Sequence, residues 1–241
     1  MSSKWPSFQQ RIYVAEKMDD PDCGAEKMNR THAHLAVINK TLSRMGDLLR
    51  RHVIADAVRM GGSATVLEFG CGGGDVLASL ARASARAGVD LHLVGLDSDA
   101  RAVARARQAL SPYANARIQQ GGIDDLATLA ADYVFCNHVL HHIPPDDLVP
   151  VLRKLRLAAR RRLLVNDLER SAVAYWLYTA FAGVAFRESF VYADGRLSIR
   201  KGFRVPELEA ACTQAGFPPG FRVQRVPPWR VVISAPGGCG L

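Results

Sequence analysis

From residue 64 to residue 167 the chain alternates short apolar runs with longer segments whose apolar residues recur at helical spacing. No other feature constrains the fold as strongly, because strands separated by helices pair in parallel through crossovers. The predicted strands are 65–69, 91–96, 116–119, 133–136 and 162–165, with predicted helices near 75–87, 99–110 and 146–159. A further helix begins near Pro206, and 221–226 and 230–234 read as two last strands. Only Pro227, Pro228 and Trp229 separate these two, too short a link for a crossover, so they must run antiparallel. The expected fold class is a doubly wound α/β, mostly parallel seven-stranded sheet. A chain of 241 residues has room for one such core and not for two of full size.

Ahead of the sheet, Leu35, Ile38, Leu42, Met45, Leu48, Leu49, Val53, Ile54 and Ala57 follow helical spacing with an interruption near Gly46, which predicts two helices ended by Gly61, Gly62 and Ser63. Residues 1–60 therefore read as a helical cap or lid, and 61–241 as one structural unit. The apolar stretch 171–186 is shorter than the ~20 residues a bilayer crossing needs, and reads as a buried or site-covering helix. The start of the chain is polar and lacks an apolar signal core, so a cytoplasmic location is expected. The five cysteines, 23, 71, 136, 212 and 239, form no C-x-x-C pair and suggest neither a disulfide framework nor zinc. The net charge of +8 invites a nucleic-acid reading, but its densest run, Arg153 to Arg162, fits a solvated helix face. Nucleic acid is not the expected partner.

Glu68-Phe69-Gly70-Cys71-Gly72-Gly73-Gly74 follows a predicted strand and opens a predicted helix. Glycine lets the backbone turn sharply and approach a ligand, while the helix start offers unpaired N–H groups. A carboxylate at Glu68 would repel a pyrophosphate but suits a cation. Leu93-Val94-Gly95-Leu96-Asp97 is a strand ending in an acid placed to accept from two ribose hydroxyls. The strand 133–136 runs into a loop holding Asn137, His138, His141 and His142.

In this order and spacing the three pieces resemble class I S-adenosylmethionine-dependent methyltransferases, over residues 64 to 167. The resemblance implies a cofactor across the carboxyl ends of the first strands, S-adenosyl-L-methionine leaving as S-adenosylhomocysteine. Gly70, Cys71 and Gly72 would line its methionine part, Glu68 would sit beneath, Asp97 would hold the ribose and Ser98 would flank it. Many relatives follow the third strand with Gly-Asp, the Asp meeting adenine. This chain has Gly121-Gly122, so the backbone of Gly122 and Ile123 takes that role in this reading, and Asn137 touches the methionine end or the substrate.

More loosely, Met18-Asp19-Asp20-Pro21-Asp22, residues 164–171 and Gly202-Phe203 with Glu207-Leu208 are similar to bacterial methyltransferases that accompany polyketide synthases making phenolic products, and Leu140-His141-His142 to quinone-biosynthesis enzymes. The implied reaction is O-methylation of a small phenolic or quinonoid molecule. A phenol, with a pKa near ~10, gains from a base, and His141 or His142 is the expected base or orienting donor. His138, Asn166, Tyr175 and Trp176 are the expected substrate contacts. An H-x-x-H-H pair of imidazoles could meet at a metal, but no H-E-x-x-H pattern supports one and none is assigned. An RNA-modifying methyltransferase and a homologue that binds the cofactor without transfer remain alternatives, and monomer and dimer both stay open.

Overall fold

A computed structural model describes residues 6–20, 22–186 and 188–238. Its order is α1 (Ala25–Thr41), α2 (Met45–Leu49), a π-helical turn (Arg50–Ile54), α3 (Ala55–Met60), β1 (Ala64–Phe69), α4 (Asp75–Ala87), β2 (Leu91–Asp97), α5 (Ala100–Leu110), β3 (Ala116–Gln120), β4 (Ala131–Asn137), α6 (Leu148–Ala158) and β5 (Ala159–Leu168). Then follow α7 (Ala172–Ala185), α8 (Val191–Lys201), α9 (Val205–Gln214), β6 (Arg222–Val226) and β7 (Arg230–Pro236). The strands form a seven-stranded sheet in the order β3-β2-β1-β4-β5-β7-β6. The first five run parallel, and β7 enters antiparallel between β5 and β6.

Alternate residues of each strand feed opposite faces, as the two-residue period of a strand requires. Leu67, Phe69, Val134, Cys136, Leu163 and Val165 pack on one side with α6 and α9. Val66, Leu91, Leu93, Phe135 and Leu164 pack on the other with α2, α4 and α5. Each such buried aliphatic or aromatic side chain contributes about 1.5–3 kcal/mol, so the two apolar faces dominate the stability of the sheet.

Two boundaries differ from the sequence reading. The helical interruption falls at residues 42–44, not at Gly46, which sits in the first turn of α2. Ser43 explains it: its hydroxyl donates to Asn39 O at 2.6 Å and accepts from Met45 N–H at 3.2 Å. Such local bonding competes with helix continuation. The second difference concerns the expected cap. Leu48, Leu49, Val53, Ile54 and Ala57 pack into the core beneath the sheet, so only the part up to residue 42 lies over the carboxyl edge.

The basic run lies elsewhere. Arg153 and Lys154 are exposed on α6, and Arg160 and Arg161 are exposed at the amino end of β5, the sheet edge opposite the carboxyl ends. Cys23, Cys71, Cys136 and Cys212 are free thiols, and Cys239 lies outside the described residues. No described helix is long and apolar enough to cross a membrane.

Candidate active site

The carboxyl ends of β1, β2, β4 and β5 converge with α1, α7 and α8 on one edge. At the end of β1, Gly70 has φ +70°, and a Cβ there would stand 2.3 Å from Val139 Cγ2. Only glycine fits. Gly72, at φ +51°, has nothing within 4 Å of a Cβ position, so the loop faces open space. Beneath it Glu68 is buried, and its Oε2 has no hydrogen-bond partner. Burial, with Asp75 and Asp97 nearby, raises its carboxyl well above the usual range. An orphaned carboxyl under an open glycine turn matches the chemistry of a cationic ligand.

Asp97 ends β2 with one oxygen accepting from Gly72 N–H at 2.7 Å and the other from Asp99 N–H at 3.0 Å. A carboxylate oxygen has two lone-pair sites, so each keeps one acceptor position, enough for two vicinal hydroxyls. Asp99, not Ser98, caps α5, accepting from Arg101 N–H, and Ser98 is exposed. Beyond β3, Gly122 N–H donates to Asp125 at 2.8 Å. Gly121 must stay small, because a Cβ there would meet that same carboxylate at 2.6 Å.

An amide relay that the sequence reading missed crosses the site. Asn166 donates to Asn137 Oδ1 at 2.8 Å and to Ser43 O at 2.6 Å; Asn137 donates to Asn39, which donates to Asp75 at 3.2 Å. It ties α1 to the glycine turn. Asn39 was invisible in sequence because a lone polar residue inside an amphipathic helix carries no pattern of its own.

A cavity of about 520 Å³ opens beside this relay. Its wall is mostly apolar, with Leu35, Ile38, Leu177, Tyr178, Phe181 and Phe186 prominent. His138 and Arg230 supply a polar end, and Glu16 and Asp194 also line it. Arg230 is 3% exposed, donates from Nε to Leu42 O at 3.2 Å, and its Nη1 donates to His138 Nε2. Burial pulls the guanidinium down to about 10, against the opposite pull of Asp167. His138 sits at φ +61° and donates its N–H to Asn166 O at 2.9 Å. Burial, then the charge of Arg230, holds its imidazole well below the ordinary range.

Several expected roles move. Neither His141 nor His142 lines the cavity, because the backbone turn at His138 sends both behind its wall. His141 is buried with Nδ1 2.7 Å from Asp167 Oδ1, so Nδ1 carries the proton, and Asp167 also accepts from the His141 and Leu168 amides. Burial pushes the Asp167 carboxyl up, but His141 outweighs it and the net shift is strongly down. Tyr175 is buried off the cavity with its hydroxyl on Arg196, and Trp176 is 43% exposed outside it. The face of α7 that borders the cavity is Ala174, Leu177, Tyr178 and Phe181, with Leu177 and Phe181 still more than half exposed. Asn166 is fully buried in the relay rather than in the cavity wall.

Glu16, His141 and His142 each bring one potential metal-ligand atom within 4.8 Å of the others. The buried ammonium of Lys201 already occupies that cluster, 3.0 Å from Glu16 Oε1 and 3.5 Å from His142 Nδ1. A divalent cation there would meet like charge.

A family model described as a methyltransferase domain matches residues 67–162, the span from β1 into β5. Residues 67–162 thus resemble a methyltransferase domain. It is 29% identical over 161 residues to the ubiquinone biosynthesis O-methyltransferase of Glaesserella parasuis serovar 5 (strain SH0165), covering 63% of this chain and 64% of that protein. An O-methyltransferase family protein from Burkholderia thailandensis shares the fold at TM-score 0.63 and 13% identity, over 90% of this chain and 62% of that one. Magnesium protoporphyrin IX methyltransferase from Synechocystis PCC 6803, solved with bound S-adenosylhomocysteine, matches at TM-score 0.53 and 20% identity, over 81% of this chain and 85% of that one. The match thus spans less than two thirds of the length of the curated relative and of the Burkholderia protein. The glycine turn, Asp97 and His138 lie at the carboxyl edge of the parallel strands, where ligands of such sheets bind.

Proposed function

We propose that this chain is an S-adenosyl-L-methionine-dependent methyltransferase that methylates an oxygen of a small phenolic or quinonoid natural-product intermediate. The observation that carries the reading is the apolar cavity of about 520 Å³ that His138 borders just past the end of β4. Its size and lining suit one flat apolar acceptor. Gly70, Cys71 and Gly72 take the methionine part with Glu68 beneath, Asp97 takes the ribose hydroxyls with Ser98 alongside, and the Gly122–Ile123 backbone edge takes adenine. Asn137, fixed by the relay, borders both ligands. When bound, the cofactor supplies an electrophilic methyl on a positive sulfur. The protein's own contribution is alignment of acceptor oxygen, methyl and sulfur, which can be worth ~7–11 kcal/mol.

The relatives named as O-methyltransferases support oxygen as the acceptor atom. The test is a panel of alkyl phenols, catechols and hydroquinones incubated with protein and cofactor, read by mass for methyl gain and by release of S-adenosylhomocysteine. Methyl ethers of at least one class are expected. A panel methylated only at nitrogen or carbon, or transfer only to bulk RNA, would overturn the reading.

A further inference from the structure

Arg230 is a buried cation of the cavity wall that the methyl-transfer reading leaves unused. Its side chain is 3% exposed and reaches the polar end of an otherwise apolar cavity. Two of its nitrogens are occupied, Nε by Leu42 O and Nη1 by His138. Among the described residues no hydrogen bond goes to Nη2, and no carboxylate lies within 4.0 Å of the guanidinium. Asp167 pulls on it electrostatically, but its oxygens are committed to His141 and Leu168. The other cavity carboxylates are committed too: Glu16 to Lys201 and Ser198, Asp194 to the amides of Lys17 and Met18, and Glu169 to Arg225. A buried cation without a direct counter-ion is costly, and an anion entering the cavity relieves that cost.

The position of the cation matters as much as its charge. His138 directly follows Asn137 at the end of β4, and β4 pairs with β1, whose end carries the glycine turn. Through its bond to His138 the guanidinium is tied to the end of β4, the strand beside the one that carries the glycine turn. His138 is held in a left-handed backbone conformation, rare for a non-glycine residue and a form of strain that clusters at functional sites. Its Nε2 accepts from Arg230, so it cannot accept a second proton from a substrate while it holds the guanidinium.

We infer that Arg230, oriented by His138, is an anion subsite that receives the acidic oxygen of the acceptor, a phenolate, enolate or carboxylate attached to an apolar body. This rests on the methyltransferase reading and narrows its substrate class. The acceptor loses its proton to water before or on entry. Its oxygen then forms the O–C bond to the methyl carbon as the C–S bond breaks, the electron pair passing to sulfur and leaving neutral S-adenosylhomocysteine. His138 is a positioning residue in this scheme, not a base.

The test uses the full chain saturated with S-adenosylhomocysteine and three aromatic probes of similar shape: 4-nitrophenol, 4-nitrobenzoate and uncharged nitrobenzene. The 4-nitrophenolate band should grow on binding at a pH below the free phenol's midpoint, and at least one anion should bind about tenfold or more tighter than nitrobenzene. Arg230→Met should abolish that preference while Arg230→Lys retains part of it. His138→Phe should weaken the anions and leave nitrobenzene unchanged. Retained S-adenosylhomocysteine binding checks that each variant is folded, and the wild-type comparison stands without any variant. Preference for nitrophenolate supports the subsite with a phenolic acceptor; preference for nitrobenzoate alone supports the subsite but removes the phenolic reading. Nitrobenzene binding as tightly as both anions overturns the subsite while leaving an apolar acceptor in place, and no binding by any probe overturns it as well.

Discussion

At the scale of single residues, Glu68 and Asp97 divide, in the proposed reading, the work of holding a cation that carries a diol. Glu68 lacks a partner for Oε2, and burial raises its carboxyl. A raised folded-state value means the unfolded chain, titrating near the ordinary 4.5, gives up its proton first. Above that pH the folded state is therefore penalised, increasingly so until Glu68 itself ionises. Glu68→Gln should then raise the melting temperature of the free protein at pH 7 and have little effect at pH 4. The same change should weaken S-adenosylmethionine about tenfold, the worth of one charged hydrogen bond, by removing the anion its positive centres face. Thermal scans at both pH values with calorimetric titration check this, and a variant less stable at pH 7 with unchanged affinity contradicts it.

At the scale of elements, the segment from Phe8 to Cys23 acts as a strap across the carboxyl edge. Arg170 and Arg204 hold Phe8 O at one end, Lys201 holds Glu16 in the middle, and Arg101 holds Met18 O, Asp20 O and Cys23 Sγ at the other. Parts of this were legible as motifs without visible meaning. In Met18-Asp19-Asp20-Pro21-Asp22, the Met18 amide meets Asp194 and Asp19 lies 3.5 Å from His142, while Pro21 lies outside the described residues. Glu207 caps α9 through Arg204 N–H and pairs with Arg170, which gives the Gly202-Phe203 and Glu207 pattern its structural sense. Which face of α7 turns inward was not legible, because aromatic and aliphatic residues lie all around it, and Val173, Trp176, Leu177, Phe181 and Val184 are all largely exposed.

The strap should respond to pH. Burial pushes the His142 imidazole down, but Asp19 and Glu16 outweigh it and raise it above 6.5; burial pushes Asp19 up, but His142 outweighs it and lowers it below 3.8. These are two views of one pair, so they are not added. The histidine's contribution is complete below 6.5 and fades as pH rises through its raised value, while the carboxylate's is complete above 3.8 and fades as pH falls through its lowered one. Hydrogen exchange over residues 6–20 should thus be slowest between those values after correction for intrinsic rates, and should accelerate toward pH 8. His142→Gln should flatten the upper limb. Exchange protection independent of pH from 5 to 8 would remove the pair from this role.

At the scale of the whole molecule, the carboxyl edge is one surface built by sequence order. The period of apolar residues made the strands and their parallel sense readable to within a few residues, because burial on both faces leaves a continuous apolar run. The glycine turn, Glu68 and Asp97 were readable because a backbone that must approach a ligand tolerates few residue types. The cavity was not, since it is assembled from α1, α7, α8, the strap and Arg230, and tertiary contacts between distant segments leave no local pattern. For that reason the histidine motif pointed to the loop that borders the cavity without telling which of its histidines lines it.

The central claim is that the turn at residues 70–72 and Asp97 together grip the nucleoside of the methyl donor. Isothermal titration of the purified chain with S-adenosylhomocysteine tests it most directly. One site per chain is expected, with a loss of about a hundredfold in Asp97→Ala, the worth of two charged hydrogen bonds to the ribose. No measurable binding to the wild-type chain, or equal affinity in Asp97→Ala, would contradict it.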